Sequence, residues 1–260
     1  MDAILLAGGT CRTDDPLYPL TVDGHKSLIP LGGKPVAQWT LDAMNAADCV
    51  ERVVIVGLPE GAAVDCPKCA ARLADHGGVL ENMVAGAKAL MQWRSPQENC
   101  ISVSADIPAI RPEIIAWLAE RMGESEEDLY YTVVQRQVME ARYPGSRRTY
   151  LRLKGAEVCG GDLNGFRLGL ALDDQPMAAR LVATRKNPLK QAALIGLDTL
   201  ALVLLGRLDL EGAVRRVAQR MGMRGRAILS PYAELGMDID KIGQYELMRQ
   251  DLLRLETGEI

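Results

Sequence analysis

Short runs of valine, isoleucine and leucine recur along the first half of the chain and constrain its fold more than any other feature. They span residues 2–7, 51–57, 99–105 and 129–135. The segments between them have helical periodicity, and the helices are predicted at 35–47, 82–93 and 112–122. This alternation predicts an α/β fold with three layers, in which helices cover both faces of a mostly parallel sheet.

The regular alternation ends after about residue 136. Arginine- and tyrosine-rich turns at 142–152 are followed by a glycine-rich segment at 160–165. Helical periodicity then covers 178–185, 188–205 and 210–221, before a strand-like run at 224–229 and a last helix at 243–255. We therefore expect one domain over residues 1–260, with a helical insertion at about 166–222.

Composition and charge point to small-molecule partners. The 260 residues are 48% hydrophobic, and the net charge is −4, with a pI near 5.4. Without a basic field we expect no nucleic-acid partner. No secretion signal is visible, and the longest apolar stretch, 192–205, contains Asp198 and is shorter than the roughly 20 residues that cross a bilayer. We interpret that stretch as a buried helix and expect a cytoplasmic protein without a membrane partner.

The six cysteines are scattered, which is typical of a cytoplasmic chain whose thiols stay reduced. Cys66 and Cys69, with His76 nearby, are similar to half of a zinc site. A structural zinc needs four ligands, and no second pair follows at a suitable spacing. Free thiols in a surface loop or helix are the favoured interpretation, and metal binding by this pair stays open.

A glycine pair follows the first predicted strand, in the sequence Leu6-Ala7-Gly8-Gly9-Thr10. Glycines at the carboxyl end of a parallel strand let backbone N–H groups approach a nucleotide closely. A lysine beside such a loop, here Lys26, can neutralise phosphate oxygens. Each feature alone has an ordinary explanation as a tight turn or a solvated side chain.

Acidic residues follow another predicted strand and precede the last helix. Asp106, followed by Ile107 and Pro108, ends the run at 99–105, and Asp238 and Asp240 lie just before the helix at 243–255. Carboxylates at such positions can hold Mg²⁺, which neutralises phosphate charge. The alternatives are that Asp106 is a turn residue, that Asp240 begins the helix and that Asp238 is solvated.

Two of these stretches together resemble the N-terminal signature of the MobA-like NTP transferases. They are Leu6 to Gly9 and Lys26 to Pro35, which reads KSLIPLGGKP. The resemblance implies a GT-A-like fold, related to the Rossmann arrangement, in which the glycine loop encloses the NTP and Lys26 binds its phosphates. The family usually has Gly or Ser and then Arg where this chain has Cys11 and Thr13. Whether Arg12 replaces that phosphate-binding arginine stays open.

The resemblance also assigns residues later in the chain. Gly78 and Asn82 match a family segment that lies against the base and the ribose, although Asn82 alone could be an ordinary helix start. Asp106 matches the metal-binding D-x-P motif. Asp238 and Asp240 match a D-x-D motif, with Asp238 the preferred second ligand.

The acceptor side is less well defined by sequence. Gly160-Gly161-Asp162 resembles the Gly-Gly-Asn stretch that often closes this side in the family, with aspartate in place of asparagine. Arg142, Arg147, Arg148 and Arg152 could receive a phosphate, because guanidinium groups match phosphate geometry. A solvated surface cluster is the favoured interpretation.

The resemblance implies an Mg²⁺-dependent nucleotidyltransferase that moves an NMP from an NTP to a phosphorylated small molecule, with Lys26 and Asp106 catalytic. The Rossmann fingerprint and the P-loop motif are both missing from the sequence. A sugar-nucleotide-dependent glycosyltransferase on the same fold and a non-catalytic nucleotide sensor remain as alternatives. The acceptor and the donor, GTP or another NTP, stay open, and the insertion could cap the acceptor pocket or form a homodimer contact.

Overall fold

The structure, a computed structural model, describes residues 1–172 and 207–257. The strands are β1 Asp2–Leu6, β2 Pro30–Leu31, β3 Lys34–Pro35, β4 Val53–Val56, β5 Cys69–Leu73, β6 Asn99–Ser104, β7 Leu129–Gln135, β8 Leu151–Leu153, β9 Ala156–Gly160, β10 Leu163–Arg167 and β11 Gly225–Ser230. The helices are α1 Val36–Ala46, α2 Val79–Leu90, α3 Pro112–Met122, α4 Arg136–Arg142, α5 Leu210–Arg220 and α6 Ile242–Thr257. The helices predicted at 178–185 and 188–205 lie outside the described residues.

Nine of these strands form one sheet in the order β5-β4-β1-β6-β10-β7-β9-β8, and β11 pairs with β7. β1 is parallel to β4 and β6, β4 is parallel to β5, and β7 is parallel to β11. Only β9 and β10 of this sheet run against the other strands. The prediction of a mostly parallel sheet is confirmed.

Alternate side chains of the strands enter two separate hydrophobic cores. In β1, Leu5 packs in the core that contains Leu41 of α1, and Ile4 packs in the core that contains Leu90 of α2. Since successive side chains of a strand point to opposite faces, helices must cover both faces of the sheet. This arrangement confirms the predicted three-layer α/β/α fold. The helices cover the faces of the sheet, and loops follow the carboxyl ends of β1, β4 and β6.

Helix α2 begins three residues earlier than predicted. Its first residue is Val79, preceded by Gly78 in extended backbone, and it ends at Leu90. The helix is predicted to start at Asn82 because asparagine often caps helices. The Asn82 side chain instead bonds to the segment before the helix, where its oxygen accepts from the His76 N–H at 2.7 Å.

The turns and glycine-rich segment predicted between 142 and 165 contain the strands β8, β9 and β10. These strands are three to five residues long and pair in antiparallel fashion: β10 with β6 and β7, β9 with β7, and β8 with β9. Such short strands, with glycines at 160 and 165, have little intrinsic strand signal and depend on distant partners. Residues 166 and 167 therefore belong to β10 and not to the predicted insertion, whereas α5 was predicted within one residue.

The six cysteines are free thiols. Cys66 lies in a loop, where its thiol donates to the Asn45 side-chain oxygen at 3.4 Å, and Cys69 is the first residue of the edge strand β5, not part of a helix. In the described part of the chain, no helix combines the length and the apolar character needed to cross a membrane.

Candidate active site

The candidate site lies where the parallel strands β1, β4 and β6 end. β1 and β6 are neighbours, so the loop at Gly8-Gly9 and the loop at Asp106 leave the sheet side by side. The Ala105 N–H donates to the Leu6 carbonyl at 2.9 Å and extends this pairing beyond the strands. The carboxyl edge of an open α/β sheet is the usual position for a ligand site.

Gly8 is enclosed on two sides by the protein itself. A Cβ atom at Gly8 would lie 2.4 Å from the Asn82 amide nitrogen and 2.7 Å from an Asp75 oxygen. On the other side, a Cβ atom at Gly57, which follows β4, would lie 2.3 Å from the Gly8 Cα atom. Gly8 and Gly57 are glycines because two backbones and two polar side chains meet here.

Asp75 holds this loop in place, although it is not among the site residues predicted from the sequence. Its carboxylate accepts hydrogen bonds from the Gly9 N–H at 3.0 Å, the Gly77 N–H at 3.0 Å and the Asn82 amide at 2.9 Å. These donors lower the pKa of Asp75, the Asn82 amide most of all. Asp75 follows β5, which was not predicted, so the signal of an acid after a strand was not recognised.

The other predicted nucleotide-binding residues are placed in two different ways. Gly78 caps α2, and Asn82 is buried directly beside the loop, while Thr10 continues it through a β-bridge to His25. Arg12 points away: its side chain is 84% exposed and pairs with Asp14 at 2.9 Å. The structure therefore does not bring Arg12 to the acids described next.

Asp106, Asp238 and Asp240 come together from opposite ends of the chain. One carboxylate oxygen from each lies within 4.8 Å of the others, and within the described residues this is the group of acidic, histidine or cysteine side chains that could hold a metal ion. The Ile239 N–H donates to the Asp106 carbonyl at 3.0 Å, which fixes the 238–240 segment against the loop after β6. The prediction that these three acids are metal ligands is thus compatible with their geometry.

Lys26 lies between the acids and the long loop that follows Thr10. Its ammonium group is 3.4 Å from Asp240 and 3.5 Å from Asp15, and its side chain is 27% exposed. Burial alone would lower the pKa of Lys26, but the negative charges of Asp240 and Asp15 outweigh it and raise that pKa. Lys26 therefore stays a cation, and Asp15 is a site residue that sequence reasoning missed.

Asp106 lies beside acids of like charge, and its pKa reflects this. Burial raises the pKa of Asp106, the Ser104 hydroxyl that donates to it at 2.6 Å lowers it, and the charge of Asp240 raises it again. Hard divalent cations prefer carboxylate oxygens, and Mg²⁺ commonly takes one or two of them together with phosphate oxygens. The donor set of Asp106, Asp238 and Asp240 fits such an ion.

Arg148 is not the solvated surface residue that the sequence analysis favoured. Its side chain is 15% exposed and forms an ion pair with Asp238. Arg142 is also engaged, with Asp251 at 2.7 Å, whereas Arg152 is exposed as expected and pairs with Glu157. Arg147, the residue before Arg148, has a positive φ of 53°, which is uncommon for a residue other than glycine.

Asp162 is a fourth acid beside this group. Its N–H donates to the Leu235 carbonyl and its carbonyl accepts from the Ser104 N–H, both at 2.9 Å, which fixes it between the ends of β6 and β9. Burial, with a further contribution from the charge of Asp106, raises the pKa of Asp162 to about 8. Arg148 acts in the opposite direction and offsets part of this effect.

This raised pKa predicts that stability falls as the pH rises. In metal-free buffer, the folded state holds the Asp162 proton up to about pH 8, whereas an unfolded aspartate loses it near pH 4. The stabilisation is therefore complete below about pH 4 and is lost as the pH rises through the folded-state pKa. Asp162→Asn removes this titration. In urea unfolding with EDTA, we expect the free energy of unfolding of the variant to exceed that of wild type by about 1–3 kcal/mol at pH 8, and this difference to shrink toward pH 5.

The exposed Asp48→Asn is the control and should follow the wild-type pH profile. Equal pH slopes for wild type and Asp162→Asn would show that Asp162 is not held protonated in the folded chain.

A glycine-rich loop, a lysine and three acids at the carboxyl edge of a mostly parallel sheet define an α/β protein of the nucleotidyltransferase class. The comparison with known families agrees with this. The chain belongs to the MobA-like NTP transferase domain family, whose model matches residues 3–224.

Individual relatives differ in how much they share with the chain. A hypothetical transferase from Thermus thermophilus is 34% identical, with a TM-score of 0.81, over 94% of this chain and 98% of that one. A probable molybdenum cofactor guanylyltransferase from Thermococcus kodakarensis is 25% identical over 129 residues, which are 49% of this chain and 56% of the relative. The match thus spans little more than half the length of that curated relative.

More distant structures share the fold alone. A CMP:2-keto-3-deoxy-manno-octonic acid synthetase in complex with CTP is 13% identical, with a TM-score of 0.55, over 97% of each chain. A 4-diphosphocytidyl-2C-methyl-D-erythritol synthase is 16% identical, with a TM-score of 0.55, over 96% of this chain and 99% of that one.

Proposed function

We propose that this chain is an Mg²⁺-dependent nucleotidyltransferase that transfers an NMP from an NTP to a phosphorylated small molecule and releases pyrophosphate. The observation that carries the proposal is the meeting of Asp106, Asp238 and Asp240 within 4.8 Å, with Lys26 beside Asp240. The three carboxylates fit a divalent ion, and the Lys26 ammonium lies beside them. Together, such an ion and the lysine would neutralise the negative charges of a polyphosphate. The six free thiols accord with action in the cytoplasm.

The chain's own residues act in this reaction by binding and positioning. The loop at Gly8-Gly9 receives the nucleotide at the end of β1, and Asn82 keeps that loop in place through Asp75. Lys26 exchanges its carboxylate partners for phosphate oxygens and stabilises the negative charge that develops on them. An acceptor phosphate oxygen attacks the α-phosphorus, the bond to the β-phosphate oxygen breaks, and pyrophosphate leaves.

Asp106, Asp238 and Asp240 would hold Mg²⁺, which when bound neutralises phosphate charge and orients the phosphates for in-line displacement. The reaction needs no covalent intermediate with the protein. His25 and His76 therefore have no assigned catalytic role.

The test is pyrophosphate release from each of ATP, GTP, CTP and UTP with MgCl₂, against a panel of phosphorylated acceptors. Release that requires one NTP and one acceptor, and that stops in EDTA, would support the proposal and identify both substrates. The same enzyme is assayed with UDP-glucose and GDP-mannose, because sugar transfer without pyrophosphate release would favour the glycosyltransferase alternative. Mg²⁺-dependent NTP binding without turnover on any acceptor would favour the nucleotide sensor, and no NTP binding at all would refute the proposal.

Lys26→Met tests the phosphate-binding role of the lysine. We expect kcat/KM for the NTP to fall about 100-fold, because a methionine fills the space without the charge that stabilises the phosphates. The measurement is steady-state pyrophosphate release at a saturating acceptor concentration. Lys88→Met, at an exposed position of α2, is the matched control and should leave kcat/KM unchanged. Equal values for wild type and Lys26→Met would remove Lys26 from the mechanism.

A further inference from the structure

An apolar cavity of about 570 Å³ lies between α5 and the strands that close the far side of the sheet. Tyr131 and Val133 of β7 form its floor, and Ala213 and Val217 of α5 form one wall. Its apolar character is built into α5, whose residues 210, 213, 214, 217 and 218 line the cavity, while Glu211, Arg215 and Gln219 are exposed. Apolar pockets of this size with a few polar groups at one end are typical of small-molecule sites.

One end of the cavity adjoins the candidate active site. Thr149 and Tyr150, two of its lining residues, directly follow Arg148 in the chain. The Tyr131 hydroxyl lies against the backbone of Gly160, two residues before Asp162. Burial, with a contribution from the charge of Asp162, raises the pKa of Tyr131, and Arg148 acts in the opposite direction. This end of the cavity therefore lies near Arg148 and Asp162.

Arg148 is the cation near this end of the cavity that contacts the acids. Its guanidinium pairs with Asp238, one of the three candidate metal ligands. A divalent ion bound to Asp238 would compete with this ion pair and free the guanidinium for another anion. Guanidinium groups bind phosphate with two parallel hydrogen bonds, so the anion best suited to this position is a phosphate.

We propose that the acceptor is an amphipathic phosphomonoester, with its phosphate on Arg148 and an apolar body, such as an isoprenyl or aryl group, in the cavity beside α5. This inference rests on the proposed function and adds the class of acceptor to it. The bonds that form and break are those given above, with the acceptor phosphate as the nucleophile and pyrophosphate as the leaving group.

Two phosphomonoesters of equal charge separate the contribution of the apolar body from that of the phosphate. Geranyl phosphate and glycerol 3-phosphate are compared as acceptors, and as inhibitors of whichever acceptor supports turnover, with MgCl₂ and the preferred NTP. We expect the half-saturating concentration of geranyl phosphate to be at least about tenfold lower than that of glycerol 3-phosphate, because its apolar group is transferred from water into the cavity on binding. Arg148→Gln should weaken both compounds, since it removes the phosphate contact that they share.

Cavity variants locate the apolar body. Ala213→Phe fills the cavity and should raise the half-saturating concentration of geranyl phosphate about tenfold or more, with no change for glycerol 3-phosphate. Gln219→Phe adds the same ring to the exposed face of α5 and is the matched control. If Ala213→Phe lowers the melting temperature strongly, the smaller Ala213→Leu replaces it.

The outcomes distinguish this inference from the proposed function. The inference of an apolar acceptor is refuted if glycerol 3-phosphate acts as a substrate or inhibitor at the same concentrations as geranyl phosphate. It is also refuted if Ala213→Phe has no effect. Neither result would contradict nucleotidyl transfer itself. The proposed function itself fails if no NTP binds or no phosphomonoester supports pyrophosphate release. A loss of stability or a change of oligomeric state in Ala213→Leu, with unchanged affinity for geranyl phosphate, would assign the cavity to packing and also overturn the inference.

Discussion

Asp106→Asn is expected to lower pyrophosphate release by a factor on the order of 10³. The variant keeps the size of the side chain and removes the negative charge that meets Asp238 and Asp240 at the end of β6. The effect should appear in kcat and not only in KM, because the carboxylate would hold the Mg²⁺ ion that neutralises negative charge developing on the phosphates during the reaction. Stopped-flow or steady-state release of pyrophosphate with a titration of MgCl₂ measures both terms.

The folded state should tolerate this change. Burial raises the pKa of Asp106 in the metal-free chain, so a neutral side chain of the same shape costs no more than the charged one. We therefore expect the melting temperature in EDTA to be unchanged or slightly higher, together with the loss of activity. Glu120→Gln, at an exposed position of α3, is the control for the removal of a charge. Full activity of Asp106→Asn would exclude the acidic group as the catalytic centre.

The core of the fold could be predicted because its signals are local. The first four apolar runs became β1, β4, β6 and β7, since buried parallel strands need continuous runs of branched side chains. The strands β8, β9 and β10 could not be predicted in the same way, because each is short. β9 and β10 pair with strands far along the chain, and β8 pairs only with β9. The same limit applied to β5, a sheet-edge strand whose sequence, Cys-Ala-Ala-Arg-Leu, has little strand propensity.

The site shows the same division between local and tertiary signals. Lys26, Asp106 and Asp238 belong to sequence motifs, and the structure brings all three to one place. Asp75 and Arg148 belong to no motif. Asp75 bonds to a glycine 66 residues away, and the partner of Arg148 lies in the segment before α6, so their positions follow only from the assembled sheet.

Gly57 is a residue whose importance follows from the fold and not from its sequence position. It ends the predicted strand at 51–57, where a glycine is an ordinary turn residue. In the structure its φ is 93°, and the missing side chain leaves room for the backbone of Gly8. The close approach of these two glycines fixes the height of the loop at Gly8-Gly9 above the sheet.

Gly57→Ala should therefore damage both stability and nucleotide binding. Its Cβ atom would lie 2.3 Å from the Gly8 Cα atom and 2.4 Å from the Gly8 nitrogen, so the backbone of one loop must move. We expect a loss of about 3 kcal/mol in the free energy of unfolding, a melting temperature lower by about 5–10 °C, and weaker binding of NTP. Urea unfolding and calorimetric titration with a non-hydrolysable NTP measure the two effects.

Gly61→Ala separates the close contact from backbone strain. Gly61 also has a positive φ, 78°, but no atom lies within 4 Å of the position of its Cβ atom. It should therefore show only the cost of a side chain in the left-handed region, about 1–2 kcal/mol, with unchanged NTP affinity. If both variants lose the same stability and bind NTP equally well, the contact between Gly57 and Gly8 does not shape the loop. A selective loss of NTP affinity in Gly57→Ala would instead link the end of β4 to the nucleotide site through backbone packing alone.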